Sequence, residues 1–188
     1  NQIGGQDELV FDGSSFSLSH DGKIVQALKS FVEDYDVATW VKVSGVWICT
    51  KARLEKQLSK HESDWRAITL GLADYVNKNN FESVIIGLSG GLDSAAVAAI
   101  AVDALGPERV WCVMMPSIYT SDDSLGDAQL CITSLGCRYD VVSIKPAIEA
   151  YEAMLGTLFK DHEIDLTEEN LQSRARAIVL MGMSNKFG

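Results

Sequence analysis

The stretch 84–94 constrains this chain more than any other part of it. Val84, Ile85 and Ile86 lead through Gly87 and Leu88 into Ser89, Gly90, Gly91, Leu92, Asp93 and Ser94, and an alanine-rich run follows from Ala95 to Ile100. A short apolar, β-branched run, then glycines, then a helix-forming segment predicts a buried strand, a tight loop and a helix. Gly90 and Gly91 carry no Cβ, so the backbone can take positive φ and a ligand can approach closely. The first amides of the following helix lack intrahelical acceptors, and the helix dipole favours an anion there. Ser89 and Ser94 add hydroxyls. Asp93 suits an anion site when a divalent cation bridges it to phosphate. The same letters also serve an ordinary strand–turn–helix in which the glycines only make the turn.

The order of residues separates this loop from two better-known phosphate loops. No lysine precedes Ser94, and the glycines do not follow a Gly-x-Gly-x-x-Gly spacing. The Ser-Gly-Gly-Leu-Asp-Ser string resembles the loop of the ATP pyrophosphatase superfamily. The resemblance implies that Gly87, Leu88, Ser89, Gly90, Gly91, Leu92, Asp93 and Ser94 bind ATP, with Asp93 as a Mg²⁺ ligand. Enzymes of that superfamily release pyrophosphate after adenylating an oxygen of the acceptor. The motif specifies the superfamily and leaves its members open.

Composition narrows the class. The 188 residues are 47% hydrophobic and 22% charged, enough to bury one good core. A formal charge of −10 argues against a nucleic-acid surface, which needs clustered Lys and Arg. Cys49, Cys112, Cys131 and Cys137 lack Cys-x-x-Cys spacing and read as buried thiols of a reducing, cytoplasmic compartment. His20, His61 and His162 are scattered, which argues against a zinc site. No apolar run approaches the length of a membrane span.

The beginning of the chain has a different character. Residues 9–11, 15–19 and 23–28 predict short strands, with His20, Asp21 and Gly22 as a hairpin turn, and 41–49 adds a strand-like run around Gly45. Three short strands bury too little to stand alone, so they are expected to complete a larger sheet. Asn1, Gly4, Phe11, Gly13, Ser15 and Gly22 resemble the closing segment of nitrilase-type amidohydrolases. The string from Gly4 to Gly13 resembles the end of the glutaminase domain of glutamine-dependent NAD synthetases. In that family a nitrilase-like domain precedes an Ser-Gly-Gly-x-Asp-Ser domain. Its glutaminase uses a Glu-Lys-Cys triad that belongs upstream of Asn1, and Cys49 lies after the matching segment.

Residues 50–63 are strongly charged and read as a solvated linker. Ser63 is the expected N-cap of a helix whose core stripe is Trp65, Ile68, Leu72, Tyr75 and Val76, ended by Asn79 and Asn80. After the loop helix, 109–115 predicts a second parallel strand. Pro116, Ser117, Ile118, Tyr119, Thr120 and Ser121 follow at its carboxyl end, where open α/β sheets bind ligands. This segment resembles the family stretch near the adenine, and Pro116 is assigned to ATP on that basis. Ile118 stands where relatives commonly carry a basic residue. Ser121 caps the next helix, with Leu125, Ala128, Leu130, Cys131 and Leu135 on its buried face and Gly136 as its stop. A third strand over 138–144 and a helix opened by Pro146, running through Ile148, Met154 and Leu158, come next. Thr167 is the expected cap of the last helix. The segment 169–176 resembles the family's deamido-NAD contact, often at a dimer interface, which implies roles for Asn170 and Arg174, four residues apart on one helix face. A plain surface helix accounts for the same spacing.

The expected fold is therefore α/β. A parallel sheet with flanking helices, of the adenine nucleotide alpha hydrolase-like, ATP pyrophosphatase type, follows a short β-rich tail of a nitrilase-like domain. The domain reading is 1–49 for that tail, 50–63 for the linker and 64–188 for the front part of a synthetase domain. The resemblance implies a homo-oligomeric parent enzyme that amidates deamido-NAD with ATP, Mg²⁺, and ammonia from glutamine. The chain taken alone is not expected to turn over. A GMP synthetase or asparagine synthetase relative, a tRNA-thiolating enzyme, a non-catalytic ATP-binding assembly fragment and a ligand-free domain are the alternatives.

Overall fold

The computed structural model describes residues 1–117 and 120–187, with only the backbone of Asp122. The chain divides into two compact units, 1–78 and 79–188.

The first unit is three antiparallel hairpins and a helix. Strands β1 (Ile3–Gln6) and β2 (Leu9–Asp12) pair, as do β3 (Phe16–Leu18) with β4 (Ile24–Ala27) and β5 (Thr39–Val43) with β6 (Val46–Lys51). The run 41–49, expected as one strand, is instead a hairpin turning at Ser44 (φ 50°) and Gly45 (φ 87°). Two successive positive φ values match the twist of a tight hairpin. Helix α1 (Lys60–Lys78) packs on β1 and β2. It starts earlier than expected, because the Ser59 hydroxyl, not Ser63, accepts from the Glu62 amide at 3.3 Å. Its inward face also differs from the expected stripe. Val76 is buried, but Trp65, Ile68 and Tyr75 are exposed, and small Gly71 meets Val10. Asp74 takes the Gly5 amide at 2.7 Å, and Lys78 donates to the Gly5 carbonyl at 2.6 Å.

The second unit is the expected α/β layer structure. Strands β7 (Val84–Leu88), β8 (Val110–Met114) and β9 (Arg138–Val141) form a parallel sheet in that order. Helix α2 (Leu92–Leu105) connects the first pair and α3 (Asp122–Leu135) the second, while α4 (Lys145–Phe159) and α5 (Leu166–Phe187) follow β9. Leu88 lies beside Met114, and Met114 beside Val141, so all three strands end at one edge. Every residue of β8 is buried. Trp111, Val113 and Met115 join Ile144, Ile148 and Ala175 in one core layer. With side chains alternating, Val110, Cys112 and Met114 face the other side, where α2 and α3 pack.

Local chemistry sets the boundaries. Arg109 pins the start of β7 through the carbonyls of Glu82 and Phe81, both at 2.8 Å. Ser121 caps α3 through the Ser124 amide at 3.2 Å, and Gly136 ends it at φ 68°. On α3, Ala128 and Ile132 are buried, whereas Leu130, expected inside, is exposed. Met154 and Leu158 of α4 are exposed as well. The cap of α5 is Asp165 rather than Thr167. Its carboxylate accepts from the Thr167 amide at 2.7 Å, while Glu168 reaches back to the Asp165 amide at 2.9 Å. That reciprocal pair is a capping box.

Candidate functional site

The loop between β7 and α2 is ordered by its two serines. Ser94 Oγ donates to the Gly91 carbonyl at 2.9 Å and accepts from the Ser89 amide at 3.1 Å. Ser89 Oγ accepts from the Gly91 amide at 3.2 Å and lies 3.0 Å from Ser94 Oγ. Each hydroxyl has one proton, so Ser89 donating to Ser94 completes a consistent network. Gly90 has φ 82°, and a Cβ there would fall within 3.0 Å of three Ser124 backbone atoms. The loop tip therefore requires glycine for conformation and for space.

Gly91 occupies the N-cap position of α2 without any side-chain cap. The amides at Leu92 and Asp93 open the helix with no acceptor four residues back. Leu92 is 84% exposed, and Asp93 is exposed in the first turn. This is an exposed, partly positive terminus with the loop hydroxyls beside it and one carboxylate in its first turn. Among the described residues, no group of three or more His, Cys, Asp or Glu gathers to hold a metal alone. A single carboxylate still fits Mg²⁺, which keeps several waters and is commonly shared between one or two carboxylates and substrate phosphates.

A cavity of about 420 Å³ opens where the strands end. Gly87, Leu88 and Ser89 form one wall, Met114, Met115 and Thr120 another. Ser173, Arg176, Ala177 and Leu180 of α5 close it. Pro116 stands at the end of β8 between the cavity residues Met115 and Thr120, its carbonyl taken by the Ile144 amide at 3.1 Å. Ile118 and Tyr119, expected near the adenine, lie outside the described residues. A second hollow of about 460 Å³ adjoins the first and shares Thr120 and Arg176 with it. A third, about 550 Å³, lies under the α4–α5 connection and is lined by none of the predicted site residues.

Asn170 and Arg174 are brought together, but on the outer face of α5. The Arg174 guanidinium donates to Asn170 Oδ1 at 3.1 Å and to its carbonyl at 3.2 Å. Ile178 and Met181, 58% and 61% exposed, extend the same face. Arg176 is two residues on, about 200° around the helix, and faces the cavity instead. Thr120 belongs to the segment expected at this edge, but within 169–176 sequence reasoning singled out Asn170 and Arg174 and passed over Ser173 and Arg176. The available signal was helix phase: Gln172 and Ala175 are buried, so Arg176 sits beside the inner stripe.

The comparisons with known proteins agree with this geometry. The family model for NAD synthase matches residues 64–188. The glutamine-dependent NAD(+) synthetase of Rhodobacter capsulatus is 45% identical over all 188 residues, which span 34% of that protein. The chain thus spans about a third of the length of such curated relatives. The structure of the glutamine-dependent NAD⁺ synthetase from Acinetobacter baumannii, in complex with ADP, superposes with a TM-score of 0.93 at 40% identity, covering 100% of this chain and 35% of that one. NMN synthetase from Francisella tularensis reaches 0.60 at 28% identity, over 70% of this chain and 52% of its own. With the Ser-Gly-Gly loop standing at the carboxyl edge of a parallel sheet, the chain belongs to the NAD synthase family.

Proposed function

We propose that the polypeptide containing this chain amidates deamido-NAD to NAD at the expense of ATP. The nicotinate carboxylate attacks the α-phosphorus of ATP and pyrophosphate leaves. Ammonia released from glutamine then attacks the acyl carbon of the adenylate, and AMP departs. The observation that carries this reading is the uncapped α2 terminus bonded through Ser94 to Ser89, which with Gly87 and Leu88 lines the cavity at the strand ends. Whole-chain likeness to glutamine-dependent relatives, one solved with ADP, supports the nucleotide and the nitrogen source.

Within this reading, the residues 87–94 and Pro116 form the ATP site. The first amides of α2 and the loop hydroxyls meet the phosphates, which become more anionic at the leaving pyrophosphate as the reaction proceeds. Asp93 holds Mg²⁺, which when bound supplies charge neutralisation between carboxylate and triphosphate. Asn170 and Arg174 contact deamido-NAD, with a carboxamide for the acid edge and a guanidinium for a phosphate. Ile178 and Met181 on the same outer face favour a homo-oligomer whose second copy covers it. The segment 1–49 closes a nitrilase-like glutaminase domain, 50–63 links it, and 64–188 begins the synthetase domain. Four unpaired thiols, and no described helix long and apolar enough to cross a membrane, favour a cytoplasmic setting.

AMP release from the full-length polypeptide tests this. ATP and Mg²⁺ are supplied with deamido-NAD, nicotinate mononucleotide, xanthylate or aspartate, and with glutamine or ammonium. The expected result is AMP with deamido-NAD alone among the acceptors, supported by glutamine. Turnover with the mononucleotide, which the likeness to the Francisella enzyme makes the specific rival, would change the acceptor; no AMP with any acceptor would sink the reading.

A further inference from the structure

We propose that Arg176 supplies the positive charge that meets the phosphate chain of the nucleotide in the loop cavity. The proposal rests on the ATP reading above and adds a residue to it. A triphosphate needs more neutralisation than a helix terminus gives, since the dipole is worth about half a charge. The residues 87–94 include no lysine or arginine, and their one charged side chain, Asp93, is negative. Among the described residues lining the cavity, Arg176 is the one charged side chain.

Its geometry fits that task. Arg176 is half-buried, and its Nε–H is given to the Met115 carbonyl at 3.2 Å, which fixes the plane of the guanidinium at the end of β8. Four further N–H donors remain on its terminal nitrogens, and the described residues provide them with no hydrogen-bond or carboxylate partner. The other arginines of this unit are engaged differently. Arg109 is bound to two carbonyls, Arg138 lies over the Trp111 ring, and Arg174 is paired with Asn170. Apolar Met114, Met115 and Leu180 around the cavity reduce screening, so a planar fork there binds phosphate more strongly than it would in open water. Arg176 also lines the adjoining hollow, so it stands between the nucleotide and whatever enters from that side.

A purely structural role, tying α5 to the end of β8, makes a different forecast. Equilibrium binding of ATP and of adenosine to the full-length polypeptide separates the two, using wild type, Arg176→Met and Arg176→Lys. The phosphate role requires Arg176→Met to weaken ATP by about ten- to hundredfold while adenosine changes less than about twofold. Arg176→Lys, which keeps the charge but not the fork, falls between and covers the case in which the methionine variant does not fold. Equal losses for ATP and adenosine, or undiminished ATP binding by both variants, would overturn the assignment. Failure of the wild type to bind ATP would instead overturn the reading beneath it.

Discussion

A Cβ on Gly90 would lie 2.4 Å from the carbonyl oxygen of Ser124. The tip of the β7–α2 loop is thus seated on the first turn of α3, in a conformation at φ 82° that side chains resist. Gly90→Ala is expected to lower stability by about 2–4 kcal/mol, combining the left-handed penalty with the clash. Gly126→Ala makes the contrast, because nothing lies within 4 Å of its Cβ position inside α3. That variant should gain about 0.5–1 kcal/mol. Thermal unfolding of the full-length polypeptide checks both signs.

The Ser94 hydroxyl holds two backbone groups of the loop at once, the Ser89 amide and the Gly91 carbonyl. Ser94→Ala should therefore reduce ATP affinity by about fivefold to tenfold with little change in melting temperature. Ser94→Thr keeps the hydroxyl and is expected to retain most of the affinity. Titration calorimetry would show the difference, and unchanged binding by the alanine variant would remove Ser94 from the loop's design.

Removing the carboxylate of Asp93 tests a separate role. Asp93→Asn should leave the fold intact and abolish AMP release at ordinary Mg²⁺ concentrations, since an amide is a poor replacement for a carboxylate at that ion. Normal turnover by this variant excludes Asp93 as a ligand.

In the first unit, Lys78 holds the Asp74 carboxyl below its ordinary range, and the Gly5 amide adds to this against partial burial. A lowered folded value means that the stabilisation is complete above the unfolded carboxylate range. It fades as pH falls through the folded value. Exchange of the Gly5 amide should accelerate below about pH 4 in the wild type, beyond the intrinsic rate. Asp74→Asn should flatten that dependence and raise exchange at neutral pH.

Burial, with Cys137 3.8 Å away, pushes the Cys112 thiol up to about 12. Iodoacetamide at pH 8 should leave Cys112 unmodified in the native protein and alkylate it after denaturation. Peptide mass spectrometry reads both states.

The parts of this structure that were legible in the sequence are those set by short-range chemistry. Glycines, two serines and a β-branched run announce the loop, and Ser121 with Gly136 brackets α3 as expected. Asp165 was equally readable, because Asp165 and Glu168 have capping-box spacing, yet Thr167 offered a rival hydroxyl two residues on. What the sequence withheld is rotational phase. Trp65, Ile68 and Tyr75 read as a core stripe and are exposed, whereas α1 turns Gly71 and Asp74 toward its hairpin. Small and polar contacts decide that face, and apolar periodicity cannot see them. The same ambiguity hid Arg176 behind Arg174, since a two-residue step crosses to the other side of a helix.

Strand β8 has no wet side, because each of its five residues is covered by one helix layer or the other. Its amides should be among the last to exchange with solvent, opening only when the whole unit does. The edge from which Met115 and Pro116 emerge thus hangs on the least yielding part of the sheet. A ligand arriving there meets a wall whose shape is already settled, and spends little of its binding energy on ordering it.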